Sequence, residues 1–350
     1  MQFGLSSIAA FPGSKEMSSK EAFEFGMRMS HAASESGFDA LGIGYRHLGG
    51  PAHQFMSQMA MAAHLLTMFP DMLVLTNVFL MSFAHPVDVA EAVATLDNIG
   101  KPNRFLFGVG QGYRQDEIKT FNIEGKHRGR MFNEALHALR RLWQDGASSF
   151  DGEFYKFENA DIGLKPSNGK GPPLLVASDA AATVGKIFER GGDHWLPSPR
   201  CSRSFLRELF PIYRESQDKA GKSFVGLPML RDICVGKNRE EAEAIVKESL
   251  YGYLTKQAGW GQPGENYRQE FDELKKDRFI LGSSEEAAEE IIALQREFGA
   301  EFMSFRIYSP GMDLERTMDV IRQVGEEVLP IVRREVGQGS MFPDAPVIKH

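Results

Sequence analysis

Arg104-Phe105-Leu106-Phe107-Gly108-Val109-Gly110-Gln111-Gly112-Tyr113-Arg114-Gln115-Asp116-Glu117 reads as a buried strand that stops abruptly at glycine and opens into a polar, glycine-lined loop. Gly108, Gly110 and Gly112 carry no Cβ, so the backbone here can come close to a planar or phosphorylated ligand. The glycine spacing is not that of the dinucleotide fingerprint, which needs Gly-x-Gly-x-x-Gly opening directly into a helix. In this chain the glycines alternate, and the pattern predicts the next helix only from about Arg130.

Outward from this stretch the chain alternates strands and helices. Strands are expected at 2–7, 38–44, 72–80, 104–109, 173–178, 194–196, 229–235 and 302–308, with a short extra one at 279–281. Helices are expected at 20–36, 54–68, 86–98, 130–144, 180–190, 202–220, 239–256, 284–298 and 314–334. Asp151-Gly152 marks a short antiparallel excursion over 150–164, and 258–267 reads as a polar insertion. Such alternation implies parallel strands with helical crossovers. Eight principal strands, each followed by a helix, point to an α/β fold of the (β/α)8 TIM-barrel type; an open doubly wound sheet would need two domains to absorb as many units. The expected organisation is one barrel domain over 1–336 with a C-terminal tail at 337–350.

The 350 residues are 42% hydrophobic and 25% charged, enough for a large core, and the formal charge of −7 with no basic block argues against nucleic acid as a partner. Two cysteines, Cys201 and Cys234, show no metal-type spacing, so neither a zinc site nor a disulfide framework is suggested. No run reaches the ~18 apolar residues of a membrane span and no leader-like segment opens the chain; the expectation is a cytoplasmic protein.

In a barrel of this kind the chemistry sits where strands end. That rule selects Tyr45, Arg46 and His47; Asn77 and Val78, running on to Ala84, His85 and Pro86; the loop 110–117; Ser178 and Asp179; Trp195; and Tyr308. Each has a plain structural alternative. His47 and His85 also suit helix capping, Arg130 and Glu134 suit an i,i+4 ion pair, and Glu117 suits a solvated place on its loop. Ser178-Asp179-Ala180-Ala181-Ala182-Thr183 joins a strand end to a helix start, which suits either a capped helix or a phosphate held by unoccupied N–H groups.

These residues together resemble the bacterial luciferase-like, flavin-dependent oxidoreductases. The resemblance is carried by Gly37-Phe38-Asp39, by Asn77-Val78 followed by Ala84-His85-Pro86, by Asn103 through Gly110, by Arg130 with Glu134 and Trp143, by 173–178, and by Glu327-Val328-Leu329-Pro330. It implies a (β/α)8 barrel with reduced flavin, or a deazaflavin, in its mouth. It also implies a non-prolyl cis peptide at Asn77-Val78 beneath the ring, a phosphate turn at Ser178 and Asp179 with Ala182 or Thr183 in the first helical turn, and cofactor contacts from Gly110, Gln111 and the acidic Glu117. Two positions depart from bacterial luciferase: Arg46, with His47 beside it, stands where that enzyme has a catalytic histidine, and Gln111 stands where it has an arginine against the flavin phosphate. Light emission is therefore not expected. The implied function is a monooxygenase that uses FMNH2 and O2 on a small organic substrate, supplied by an NAD(P)H:flavin reductase. F420-dependent hydride transfer is the alternative, and a non-catalytic flavin-binding protein the third reading. Arg46 and His47 are the expected catalytic pair, Arg46 stabilising an anionic reduced flavin and His47 relaying protons, unless Arg46 merely pairs with Glu117. A homodimer through the apolar helix 54–68 is also implied.

Overall fold

Eight short apolar runs become the barrel strands β1 (Gln2–Leu5), β2 (Ala40–Ile43), β3 (Leu73–Thr76), β4 (Phe105–Gly110), β5 (Leu174–Ala177), β6 (His194–Leu196), β7 (Leu227–Val235) and β8 (Ala300–Arg306). The computed structural model describes residues 1–8, 10–11, 17–49, 54–99, 102–251, 254, 268–307 and 312–342. All eight pair in parallel, in the order β6-β5-β4-β3-β2-β1-β8-β7, and the extra strand Phe279–Gly282 pairs with the far end of β7. The curl brings β6 and β7 side by side, closing a TIM-barrel-like α/β fold.

The period-two pattern of the strands sorts their side chains. Ala40, Leu73, Leu75, Leu106, Leu175, Leu196, Leu230 and Phe302 fill the barrel, whereas Phe3, Leu41, Val74, Phe105, Val176 and Met229 face the helices. Met341 and Phe342 join the inner cluster at 2% and 4% exposure, so the segment expected as a tail from 337 contributes to the core through these two residues.

Helix ends follow local chemistry. Capping boxes at Ser18 and Ser283 start Ser19–Glu35 and Ser284–Phe298, and Gly299, at φ 62°, ends the second. His85 caps Pro86–Asn98 by accepting from the Val87 N–H at 3.3 Å, the plainer of its two expected roles. Of the helix expected at 54–68, residues 54 and 55 form a short strand antiparallel to Ala10–Phe11, and the helix runs Gln58–Met68. Its apolar residues mostly pack within the chain; Met68 alone among Phe55, Met56, Met59, Met61, Leu65, Leu66 and Met68 is exposed, at 47%.

Other helices differ from expectation too, among them that expected at 239–256, which is α-helical over Arg239–Val246 and a π-turn over Lys247–Tyr251. Gln115–Thr120 forms inside the predicted loop, with Asp116 and Glu117 in its first turn, where carboxylates favour a helix, and Ile118 buried. The helix expected at 180–190 is only Ala181–Val184, capped by Gly185. The long C-terminal helix is interrupted by a π-turn at Val324–Val328, where Gly325 passes so close to Ser36 that a Cβ would stand 2.3 Å from its carbonyl oxygen. The predicted insertion 258–267 and Tyr308 lie outside the described residues. No described helix is long and apolar enough to cross a membrane.

The end of the barrel opposite the strand termini holds an open cavity of about 390 Å³, lined in part by Asp193, His194 and Phe342. Burial pushes the His194 imidazole down to about 4, against the weaker pull of Asp193. Because this folded value lies below the unfolded 6.5, the neutral ring favours folding above pH 6.5, and that contribution is lost as pH falls toward 4. The full shift corresponds to about 3 kcal/mol, and His194's residual exposure onto the cavity brings the effect below that ceiling. His194→Asn should therefore flatten the decline in urea midpoint between pH 7 and 4; a decline as steep as in the wild type would refute this assignment.

Candidate active site

At the mouth, β2 to β5 contribute almost no side-chain bulk to the barrel interior. A Cβ on Gly108 would stand 2.0 Å from the Thr76 carbonyl oxygen, and one on Gly110 would stand 2.8 Å from Val78 Cγ2. Gly112, at φ +72°, lies beneath the Phe83 ring. The Asn77-Val78 peptide bond is cis. These glycines let the strand ends and the Phe83 ring pack closely, and Asn77 Oδ1 is buried beside them with no hydrogen-bond partner among the described residues. Gly110 and the cis Asn77-Val78 peptide are the features that the resemblance to flavin- and deazaflavin-dependent enzymes implies at this end of the barrel.

Across the barrel the interior is polar. Asp232 holds Arg306 through both carboxylate oxygens, one contact at 2.5 Å, and Ser6 and Ser304 share a hydrogen bond of 2.6 Å. Sequence reasoning missed all four residues. The available signal was a charge at an inward position in each of two mostly apolar runs, Asp232 in 229–235, where Arg231 precedes it, and Arg306 in 302–308.

The loop after β2 is gripped by the helix Gln115–Thr120. The His47 N–H donates to Glu117 Oε1 at 2.8 Å, and Arg114 Nη1 donates to the His47 carbonyl at 3.0 Å. Arg114 lies 3.8 Å from Glu117 and also pairs with Asp116. Glu117, expected on a solvated loop, is 1% exposed; burial raises its pKa, opposed first by Arg114 and then by the His47 N–H. Its carboxylate is thus engaged in holding the loop, with Arg46 the weakest of the charges acting on it. Arg114 lies in the strand-end loop 110–117 that the sequence singles out, but no role was expected of it.

The His47 ring packs on Phe121 and Phe83, with centroids 4.5 and 5.8 Å away, and its Nδ1 lies 3.2 Å from the Tyr45 hydroxyl. Burial lowers its pKa from 6.5, so the ring is neutral near pH 7. The Arg46 guanidinium lies 5.3 Å from the Phe55 ring centre, and Arg46 and His47 line a cavity of about 420 Å³ together with Gln54 and Phe121.

At the end of β5, Ser178 Oγ accepts from the Ala180 N–H at 3.1 Å, and Asp179 turns away to accept from Ser198 N–H and Cys201 Sγ, both at 3.1 Å. Ala182 is exposed and Thr183 buried. With only four helical residues behind it, this turn offers N–H donors but little macrodipole. Trp195 supports it by donating to the Ser178 carbonyl at 2.7 Å.

The motif residues on the helix Arg128–Leu142 and at its end are architectural. Glu134 does not pair with Arg130: it accepts from the N–H groups of Glu153, Phe154 and Tyr155 at 2.7–3.0 Å, while Arg130 pairs with Glu153. Together they pin the hairpin Ser148–Asp151/Lys156–Ala160 to the barrel. Trp143 is buried against Gly171 and donates to the Ala90 carbonyl.

Comparisons with known proteins agree with this architecture. The model of the luciferase-like monooxygenase family matches residues 1–302. F420-dependent glucose-6-phosphate dehydrogenase from Kribbella flavida is 27% identical, over 86% of this chain and 92% of the relative; the enzyme of the same name from Nakamurella multipartita is 28% identical, over 88% and 92%. Among solved structures, a monooxygenase from Streptomyces bottropensis superposes with a TM-score of 0.82 at 21% identity, covering 94% of this chain and 99% of the other. An F420-dependent secondary alcohol dehydrogenase does so at 0.74 and 20%, covering 95% and 99%; at such identities the likeness shows the fold. The F420-dependent relatives overturn the expectation of an FMNH2- and O2-dependent monooxygenase and favour its hydride-transfer alternative. The chain belongs to the luciferase-like monooxygenase family.

Proposed function

We propose that this protein is an F420-dependent oxidoreductase that moves a hydride between the deazaflavin and a small hydroxylated substrate. The observation that carries the reading is the likeness to F420-dependent dehydrogenases over 86% and 88% of this chain, on a barrel whose third strand ends in the cis Asn77-Val78 peptide. When bound, the deazaflavin supplies a carbon that accepts or returns a hydride.

The residues divide the remaining work. Gly108, Gly110 and the Asn77-Val78 segment support the ring, with Gln111 at its edge, and in the turn from Ser178 to Thr183 the N–H groups of Ala181 and Ala182 take the cofactor phosphate, those of Ala180 and Thr183 being bonded within the turn. His47 is the base. A hydrogen bond between its Nδ1–H and the Tyr45 oxygen leaves Nε2 to take the hydroxyl proton as the substrate carbon gives up its hydride, and the alcohol becomes a carbonyl. Arg46 beside it supplies a positive charge for an anionic group on the substrate. Glu117 and Arg114 hold the loop that carries both residues. Under this reading neither O2 nor a flavin reductase is required.

Separate anaerobic titrations with F420 and FMN test the reading, with glucose 6-phosphate as the first substrate tried. F420 should bind at least about tenfold more tightly, a difference of roughly 1.4 kcal/mol. Tighter binding of FMN, with O2 consumed on reduction, would defeat it.

A further inference from the structure

Apolar side chains crowd the cavity of about 420 Å³ that His47 lines. Five large apolar side chains are exposed among the described residues, and two of them, Leu48 at 50% and Phe121 at 37%, border this one space. Phe55 and Met56, both half-buried, extend the same wall. Apolar surface left open around a concave site marks a place where a ligand is buried. Leu48 adds a second sign. Its φ of 52° is a left-handed backbone that leucine adopts only at a cost and that asparagine or glycine takes more readily. The fold thus keeps a bulky apolar residue where neither core packing nor backbone conformation asks for one. On the inner side, Phe121 lies 5.1 Å from the Phe83 ring, which covers Gly112 beyond the end of β4.

The polar groups around the cavity are largely engaged elsewhere. The Tyr45 hydroxyl lies 3.2 Å from His47 Nδ1; Gln54 Nε2 donates to the Met17 carbonyl at 2.9 Å, and its Oε1 is buried. Arg46 is the one side chain of fixed charge among the described lining residues, its guanidinium 5.3 Å from the Phe55 ring centre, and no carboxylate stands among them. A polyhydroxylated substrate would leave several hydroxyls against this wall without partners, which is unfavourable. We infer that the substrate is an arylmethanol bearing a carboxylate: its ring lies against Leu48, Met56 and Phe121, its carboxylate meets Arg46, and Leu48 determines specificity. This rests on the reading that His47 is the base of an F420-dependent dehydrogenation. The step balances, since the carbinol carbon gives its hydride to the deazaflavin, which is reduced, the hydroxyl proton passes to His47 Nε2, and the C–O bond becomes an aldehyde carbonyl.

Steady-state assays with F420 compare para-(hydroxymethyl)benzoate with glucose 6-phosphate, and calorimetry follows binding of the same two compounds to the cofactor-free protein. The aryl acid should have a kcat/KM at least about tenfold higher, the scale of a few apolar carbons placed in a matching pocket. Leu48→Asn and Leu48→Gly should each raise its KM and its dissociation constant about fivefold, leave kcat within about twofold, and melt no lower than the wild type. A leucine that served only the fold would show the reverse, a lower melting temperature at unchanged KM. Glucose 6-phosphate turned over as well as or better than the aryl acid, or a KM unmoved in both Leu48 variants, overturns the inference and leaves the F420 reading intact. If F420 does not bind while the aryl acid binds the wild type and binds both variants more weakly, the F420 reading falls and the ligand class of the cavity stands.

Discussion

Arg104→Met is expected to cost about 3–5 kcal/mol, read as a lower urea midpoint at unchanged slope. Arg104 opens β4 and is 1% exposed; its Nη1 donates to the Phe69 and Met72 carbonyls at 3.0 Å each, and its Nη2 to Leu66 at 2.7 Å. These carbonyls belong to the end of the helix Gln58–Met68 and the turn into β3, where the helix has no further N–H groups to offer. One guanidinium thus closes a helix and docks it on two strands. Methionine fills similar volume but takes the guanidinium from three carbonyls, of which Phe69's alone keeps a second donor, the Met72 N–H at 3.1 Å. Lysine restores the charge without the planar fork and should recover only part of the loss. A midpoint within about 1 kcal/mol of wild type would mean that the carbonyls find other partners.

His47→Gln is expected to lower kcat by about 10²–10⁴-fold, the usual scale of a general base, while F420 affinity changes little. The pH dependence gives the sharper signature. A base works only when unprotonated, so kcat/KM in the oxidation direction should fall as pH drops through the His47 pKa. Burial sets that value below the ordinary 6.5, so the midpoint of the wild-type acid limb should lie below pH 6.5. The acid limb should vanish in His47→Gln, leaving slow, pH-independent turnover. If the variant keeps both its rate and the same limb, the proton goes elsewhere and the role assigned to His47 is wrong.

Period-two apolar runs, helices between them and a glycine-stopped strand at 104–110 were enough to specify eight parallel strands and their closure, because in a parallel sheet each strand's burial is written in its own few residues. Helix starts near Lys20, at Pro86 and at Ser284 were equally legible, while the capping boxes at Ser18 and Ser283 were seen only in the structure. Strand ends located the mouth, and with it Arg46, His47, Asn77, Glu117 and Ser178 as candidates. What each of these does was decided by contacts across the sequence. Glu117 is 70 residues from the His47 N–H it accepts from, and Ser6 is 298 from Ser304. No local pattern encodes such pairs, and a carboxylate that looked solvated became buried only when a short helix folded over another loop. Arg130 and Glu134 show the same limit: their i,i+4 spacing is that of an ion pair, yet three N–H groups arriving from the hairpin outcompete the neighbouring guanidinium. The sequence by itself determined the barrel, because burial periodicity is local. The allotment of its polar groups was left to tertiary structure, because a hydrogen bond depends on which distant partner closure of the barrel brings within 3 Å.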